Sequence, residues 1–331
     1  MKCKNCGKDL PPFALSCKEC SEGLCDICHV TLKGICEECK DEKNNIPEVW
    51  RRSWLTLFEV CPYACYKTAI EGVDSEGNIW SHVGNVLHDV FELASLYKID
   101  REFSVLYTEF TVRFMKYLET EEGTKHKEAA QQLVKGNIIT KMYDRATASI
   151  ETYLEYEKTA PDPIETEIKL FLDIDGCQKI SGTIDRINPL EDNEVELVDY
   201  KSGKCYYGKK LKDDLQVPIY IMAYRQKYGK LPKRFTFIFT EDGKKRTFER
   251  VDDDKYICTV VKREYVISLQ ETARKIKRIF ARVYQGNWSI PSKINSYYCA
   301  NFCDVAKAGH CAGAEDQEWI NLRGNLKRWN I

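Results

Sequence analysis

The sequence predicts an α/β fold in which a central mixed sheet is flanked by helices, with a helical insertion and a small cysteine-rich module at the amino end. Two observations carry this prediction. Segments with the apolar period of amphipathic helices come first, and shorter β-branched and aromatic segments with one helix between them follow. Eight of the 16 cysteines lie within the first 39 residues, a segment too short to build a core of its own.

Apolar periodicity places the elements of the large domain in order. It predicts helices over residues 50–67, 81–97, 102–119 and 125–158, the last broken near Gly136. It predicts strands over residues 165–173, 178–188, 194–201, 234–240 and 245–251. A helix over residues 213–228 separates the third strand from the fourth, and a long final helix covers residues 254–284.

Two neighbouring strands carry the chemistry-bearing residues. Apolar runs over residues 180–187 and 195–200, with turn residues between them, predict a hairpin. Because side chains alternate along a strand, Asp199 and Lys201 point to the same side, and pairing can bring Asp185 beside them. Two carboxylates and one ammonium in a small volume suit Mg²⁺ or Mn²⁺ and phosphodiester hydrolysis. An isolated Asp-x-Lys triplet is more often an exposed strand edge, so its surroundings decide the interpretation.

Several segments around this hairpin form an ordered series across about residues 50–311. They are Ser53-Trp54-Leu55, Cys61-Pro62-Tyr63-Ala64-Cys65-Tyr66, Gly84-Asn85-Val86-Leu87-His88, residues 165–172, Gly182-x-x-Asp185-Arg186, Asp199-Tyr200-Lys201 and Gln216-x-x-x-Tyr220. In this order they resemble the motifs of the PD-(D/E)xK nuclease superfamily, and specifically of its RecB-like branch, which includes AddB and the CRISPR-associated RecB-like exonucleases. The resemblance implies a restriction-endonuclease-like core and a DNA nuclease.

The resemblance also implies a role for each matching side chain. His88, Asp185 and Asp199 would be metal ligands, with the Tyr200 carbonyl as an additional one. Lys201 would be the catalytic lysine.

Two residues of the following helix complete the implied site. Gln216 and Tyr220 would lie one turn apart and face it, where they could orient the lysine or contact DNA. For Tyr220, simple burial in the core is the alternative. Glu167 is left open, because its side chain could support the metal or only flank its strand.

The eight amino-terminal cysteines fall into four pairs with the spacing of structural zinc sites. The pairs are Cys3-x-x-Cys6, Cys17-x-x-Cys20, Cys25-x-x-Cys28 and Cys36-x-x-Cys39. They predict two Zn²⁺ ions in a double zinc ribbon over residues 1–40, with sequential pairing favoured and an interleaved arrangement open. Residues 41–49 would be a linker and residues 50–331 the nuclease domain. Because no signal peptide precedes Cys3, we expect thiolates rather than disulfides.

A second cysteine set lies near the two ends of the nuclease domain. It comprises Cys61, Cys299, Cys303 and Cys311. The resemblance implies that one cysteine before the nuclease core and three after it bind a [4Fe-4S] cluster. The spacing of the last three is wider here than in those relatives. A zinc site at the same positions is the main alternative.

Composition limits where and how the protein acts. With 331 residues, 43% of them hydrophobic, the chain can bury a substantial core, and no apolar run reaches membrane-spanning length, so we expect a cytoplasmic protein. A formal net charge of −1 means that DNA affinity must come from local patches. The candidates follow the hairpin directly and are Lys204, Tyr206, Tyr207, Lys209 and Lys210, with a solvated lysine-rich loop as the alternative.

The combined patterns predict a metal-dependent DNA exonuclease that acts on single strands or DNA ends. A nuclease-like DNA-binding or assembly module and a zinc-ribbon adaptor are the alternatives. The sequence contains no Gly-x4-Gly-Lys-Ser/Thr motif, so a separate helicase would have to supply any unwinding. Recombination, repair, replication and CRISPR-type DNA processing are all open as pathways.

Overall fold

The computed structural model describes residues 46–73 and 77–288, together with four short parts of the chain. These parts are residues 15–16, residues 23–24, residues 303 and 305, and residue 311. Leu15–Ser16 (β1) and Gly23–Leu24 (β2) pair as a two-stranded antiparallel sheet. The eight predicted zinc ligands and Cys299 lie outside the described residues.

An eight-stranded mixed sheet forms the centre of the large domain. Its strands are β3 (Val49–Arg51), β4 (Glu165–Leu172), β5 (Lys179–Pro189), β6 (Val195–Lys201), β7 (Arg234–Phe239), β8 (Lys244–Arg250), β9 (Lys255–Val260) and β10 (Arg263–Ser268). The strand order is β10-β9-β8-β7-β6-β5-β3, and β4 pairs with β5. β3 runs parallel to β5 and β6 parallel to β7, while the other pairs are antiparallel. The predicted α/β class is therefore confirmed.

Helices cover both faces of this sheet. They are α1 (Arg52–Val60), α2 (Pro62–Ala69), α3 (Ile79–Ser95), α4 (Phe103–Leu118), α5 (Glu121–Gln131), α6 (Ile138–Glu157), α7 (Lys209–Lys212), α8 (Gln216–Tyr228) and α9 (Leu269–Tyr284). One core packs α1, α8 and α9 against the sheet, and a second packs α3, α4 and α6 against its other face. In the described part of the chain, no helix combines the length and the apolar character needed to cross a bilayer.

The first predicted helix is divided in the structure. Residues 49–51 join the sheet, and α1 ends before Cys61, whose Sγ accepts a hydrogen bond from Ala64 N at 3.5 Å and so caps α2. The division follows from Pro62, which lacks a backbone N–H and disfavours the helical conformation in the residue before it. The break predicted near Gly136 is confirmed, since α5 ends at Gln131 and α6 begins at Ile138.

The predicted final helix over residues 254–284 was wrong in its first half. Residues 255–260 and 263–268 form the antiparallel hairpin β9–β10, and α9 begins only at Leu269. The hairpin is rich in aromatic and β-branched residues, and the buried Tyr256 and Cys258 alternate with more exposed neighbours, which is the period of a strand. Ser268 then caps α9, its Oγ accepting from Glu271 N at 3.1 Å.

A buried ion pair fixes the hairpin β5–β6 to the helical insertion. Arg186 is fully buried and donates to Glu157, in the last turn of α6. Its Nε donates to Asn188 Oδ1 at 2.6 Å, and its Nη2 donates to the Pro161 carbonyl at 2.5 Å. Charge-assisted bonds to three acceptors offset the cost of burying the guanidinium, so removal of one partner should leave an uncompensated charge.

Glu157→Gln should therefore lower the free energy of unfolding by about 3 kcal/mol, because the buried Arg186 would keep its charge and lose its anionic partner. Urea unfolding of the purified protein measures this. The control is Glu155→Gln, which breaks the exposed pair between Glu155 and Lys158 and should cost less than about 1 kcal/mol. Equal losses in the two variants would contradict a structural role for the buried pair.

Candidate active site

The strands β5 and β6 separate at Asp185. Their pairing extends only as far as Arg186 opposite Val198. Further along the same edge of β5, residues 179–181 pair with β3 instead. Asp185 Oδ2 accepts a hydrogen bond from Tyr200 N at 2.5 Å, so a side chain takes the place of a ladder carbonyl. The opening between β3, β5 and β6 is called the fork below.

Three side chains from three elements meet beside the fork. His88 from α3, Glu167 from β4 and Asp185 from β5 each offer a ligand atom, and these atoms lie within 4.8 Å of one another. His88 Nδ1 is 3.4 Å from Asp185 Oδ1. Imidazole nitrogen and carboxylate oxygen at this spacing are donors that Mn²⁺ or Mg²⁺ accepts in proteins. The donor set therefore fits a divalent cation.

Glu167 departs from regular strand geometry. Thr166 pairs with Arg186 and Ile168 pairs with Ile184, but Glu167 and Asp185 between them do not pair. The φ angle of Glu167 is 48°, in the left-handed region that a non-glycine residue rarely adopts. Such a conformation costs about 1–3 kcal/mol and is commonest at functional sites. In β4 this strain falls on the one residue that joins the cluster.

The charges of the cluster act strongly on one another. Burial raises the pKa of Glu167 to about 7, and the charge of Asp185 adds to the increase. Burial lowers the pKa of His88, but the charge of Asp185 and the hydrogen bond to it outweigh burial and raise that pKa to about 9. The negative charge of Asp185 disfavours a second anion at Glu167 and favours the cationic form of His88, and a divalent cation bound there would oppose both effects.

Asp199, Lys201 and Gln216 form a linked group next to the cluster. Lys201 Nζ lies 2.6 Å from Asp199 Oδ2 and donates to Gln216 Oε1 at 2.7 Å. The amide nitrogen of Gln216 donates to Asp199 Oδ1, so one buried glutamine joins the carboxylate and the ammonium. Burial raises the pKa of Asp199, and the charge of Lys201 opposes the increase. The charge of Asp199 also raises the pKa of His88 and of Glu167, so Asp199 acts on the cluster although its oxygens are not among the close-set ligand atoms.

Comparison with known proteins gives this arrangement a family. Residues 52–308 match the family model of the PD-(D/E)XK nuclease superfamily. The chain belongs to this superfamily. Its members typically use Mg²⁺ or Mn²⁺, in agreement with the donor set at the fork.

Two further comparisons leave the activity of the chain open. A solved structure titled "Crystal structure of SSO0001" aligns over 87% of this chain and 96% of that chain, with 13% identity and a TM-score of 0.29. A TM-score this low indicates nothing about the activity of the nuclease. Among curated proteins, none matches the chain.

The close approach of α8 to β5 explains one glycine of the nuclease motif. A Cβ at Gly182 would lie 2.3 Å from Tyr220 Cε1, so only glycine lets the buried ring of Tyr220 fit there. This packing holds α8, and with it Gln216 one turn earlier, against the fork. The structure thus places Tyr220 in the core beside the site, and any contact with DNA or the lysine stays a prediction.

The residues predicted to contact DNA divide into two groups. Tyr206 is half-buried: its hydroxyl donates to Asp214 Oδ2 at 2.7 Å, and its ring packs edge-on against Phe239. Lys210 Nζ lies 4.4 Å from the centre of that ring. Tyr206 therefore supports the loop rather than presenting a free face.

Tyr207 and Lys204, two other members of the DNA-contact set, are exposed. Tyr207 is 47% exposed, with the Arg246 guanidinium 4.5 Å from its ring centre. Lys204 is exposed and lies 3.7 Å from Glu241, while Lys209 begins α7. Of the two tyrosines, Tyr207 is the one available for stacking.

Three cysteines of the predicted cluster come together in the nuclease. Cys303 and Cys311 pack with Cys61 around Ala64, near the start of α2. Burial raises the pKa of the Cys61 thiol, and Cys311 contributes to the increase. Cys65 points elsewhere, since its Sγ donates to the Trp54 carbonyl at 3.3 Å within the main core.

Glu167 is the cluster member that the sequence left open. The sequence predicted that Glu167 lies in the strand before the hairpin. No sequence pattern indicated its left-handed backbone. The assignment of the Tyr200 carbonyl as a ligand also stays a prediction, although the Tyr200 N–H bond to Asp185 puts this backbone beside the cluster.

Glu167→Gln should weaken Mn²⁺ binding by about 10-fold or more, since removal of even an outer partner of a metal site commonly costs 10- to 100-fold. Isothermal titration of the metal-free protein with Mn²⁺ measures this. Glu165→Gln is the control, because Glu165 lies on the same strand but accepts from Tyr228 outside the cluster. Identical affinities for the two variants would exclude Glu167 from the metal site.

Proposed function

We propose that this nuclease hydrolyses DNA phosphodiester bonds with Mg²⁺ or Mn²⁺, acts on single strands or DNA ends, and belongs to the RecB-like branch. The convergence of Asp185, Asp199 and Lys201 at the fork carries the proposal. Two buried carboxylates beside a fixed ammonium have no evident use in packing alone. They are the groups that metal-assisted hydrolysis of a phosphodiester needs.

Each side chain of the site has a distinct task in this proposal. His88, Asp185, Asp199 and the Tyr200 carbonyl would hold the cation, with Glu167 as a further ligand. A cation bound there would supply positive charge to the scissile phosphate and make bound water more acidic.

Lys201 and Gln216 would act beside the metal ligands. The ammonium of Lys201 is held between Asp199 and Gln216, so it can orient the attacking water and offset charge on the phosphate. Gln216 fixes that ammonium by accepting its hydrogen bond while donating to Asp199. Tyr220 would maintain the approach of α8 that brings Gln216 there.

Other parts of the chain would supply binding and stability. Cys61, Cys303 and Cys311 lie in one cluster, and we propose that with Cys299 they bind a [4Fe-4S] centre. Residues 1–40 would form a double zinc ribbon, residues 41–49 a linker and residues 50–331 the nuclease domain. DNA would be the main partner, contacted by Tyr207 and the nearby lysines, and a separate helicase would supply unwinding.

Purified protein should cleave DNA only with a divalent ion, and Asp199→Ala or Lys201→Ala should reduce the rate by about 100-fold or more, because each removes charge at the reacting phosphate. End-labelled single-stranded DNA with Mn²⁺ measures this. Lys230→Ala is the control, since Lys230 is exposed and donates to the Asn193 carbonyl, away from the fork. Full activity in the Asp199→Ala protein would refute the assignment.

The proposed preference for ends is tested with the same protein and different DNA. Linear single strands should be degraded while covalently closed circles stay intact, because an exonuclease needs a free end. Efficient nicking of closed circles would contradict the exonuclease proposal and leave the metal chemistry standing.

Protein purified without oxygen should absorb broadly near about 400 nm through thiolate-to-iron charge transfer. Cys61→Ser or Cys303→Ser should remove this absorbance, because each takes away a proposed ligand. Cys258→Ser is the control, since Cys258 is a buried thiol of β9 outside the cysteine cluster. Colourless wild-type protein that holds zinc at these cysteines would replace the iron-sulfur proposal with a zinc site.

A further inference from the structure

The helical insertion supports the backbone that follows the Lys201 side chain, directly at Ser202 and through Thr240 at the Lys201 carbonyl. From α6, Arg145 Nε donates to the Ser202 carbonyl at 2.5 Å, and its Nη2 donates to Ser202 Oγ at 3.3 Å. One turn later, Ser149 Oγ accepts from Thr240 Oγ1 at 2.8 Å. Thr240 N in turn donates to the Lys201 carbonyl at 2.9 Å. A single helix therefore holds the end of β6 through two successive carbonyls.

Residues of other elements also lie close to Ser202 and Arg145. A Cβ at Gly84 of α3 would lie 2.8 Å from Ser202 Oγ, so the insertion approaches this residue from a second helix as well. Arg145 Nε also lies 3.5 Å from Glu241 Oε2, in the turn after β7. Only 14% of the Arg145 side chain is exposed. The guanidinium thus joins the loops that follow β6 and β7, at the end of the sheet where the site lies.

The position of a lysine ammonium depends on the backbone that carries it. A lysine side chain has about 2 kcal/mol of rotamer freedom, and its ammonium stays between two partners only if the Cα is also fixed. Lys201 is the last residue of β6, and the strand pairing that fixes the backbone inside β6 ends there. Contacts to Ser202 and to the Lys201 carbonyl supply the missing constraint.

We propose that Arg145 is a positioning residue of the nuclease: through Ser202 it fixes the backbone after Lys201 and so keeps the ammonium between Asp199 and Gln216. The proposal rests on the catalytic role of Lys201 proposed above. The helical insertion already contributes His88 from α3, and the proposal adds a second task for it, the support of the backbone at the end of β6.

The test compares Arg145→Ala with a matched arginine. Arg250 donates to the Leu231 carbonyl at 2.9 Å and to Glu194 at 2.5 Å, so it makes the same kinds of contact at the opposite end of β6 and β7. On linear single-stranded DNA with Mn²⁺, kcat should fall about 10- to 100-fold in Arg145→Ala, since small misplacements of a catalytic group cost this much. KM should change less than about twofold, and Arg250→Ala should keep the wild-type kcat.

Two additional results separate positioning from general stability. Arg145→Lys should recover part of the lost kcat, because an ammonium can still donate to the Ser202 carbonyl. The melting temperatures of Arg145→Ala and Arg250→Ala should fall by similar amounts. If kcat fell equally in both alanine variants, in step with their stability, the proposal would be overturned. A higher KM with unchanged kcat in Arg145→Ala would also overturn it, by assigning Arg145 to DNA contact.

A measurement without substrate keeps the proposal testable even if the wild-type protein cleaves no DNA. The metal-free protein is prepared with ¹³C-labelled lysine, and the Cε signal of Lys201 is identified by its loss in Lys201→Arg. This signal should shift in Arg145→Ala and stay in place in Arg250→Ala. An unmoved signal in Arg145→Ala would refute positioning, whereas inactive wild-type protein with a shifted signal would refute only the proposed function.

Discussion

The hydrogen bond from Tyr200 N to Asp185 Oδ2 determines where the sheet opens. A backbone donor that would have continued the β5–β6 ladder is satisfied by a carboxylate, so the strands part without leaving a buried N–H unpaired. β3 then occupies the edge of β5 that β6 has left. β6 ends beside α8, where the Gln216 side chain forms hydrogen bonds with both Asp199 and Lys201. Pairing of β6 further along β5 would occupy this space with backbone.

Adjacent residues of β5 have different partners in the helical insertion. Asp185 faces the metal cluster, while Arg186 faces α6 and is neutralised by Glu157. The same helix holds Ser202 through Arg145 near its other end. α6 therefore contacts the hairpin at two places. A buried ion pair joins it to β5, and hydrogen bonds from Arg145 join it to Ser202, directly after β6. The insertion gives the hairpin a rigid support, which catalytic groups need.

Local patterns predicted the parts of the site that depend on the strand repeat. Alternation placed Asp199 and Lys201 on one face, and the turn after Asn188 gave the hairpin that the structure contains. The strained backbone of Glu167 could not be predicted, because it depends on how β4 and β5 meet across the cluster. Arg145 and Ser202 are 57 residues apart, and no local pattern joins them. The hairpin β9–β10 was missed because its apolar positions were assigned to a helical period although its residue types favour strands.

Anomalous diffraction from crystals soaked in Mn²⁺ is the direct test of the proposed metal site, because it locates the metal without relying on turnover. The proposed metal site requires one strong peak at the fork, in direct coordination with His88, Asp185 and Asp199, and with Glu167 as a further ligand. A fork without manganese at saturating concentration, or a manganese ion bound elsewhere by none of these residues, would contradict it.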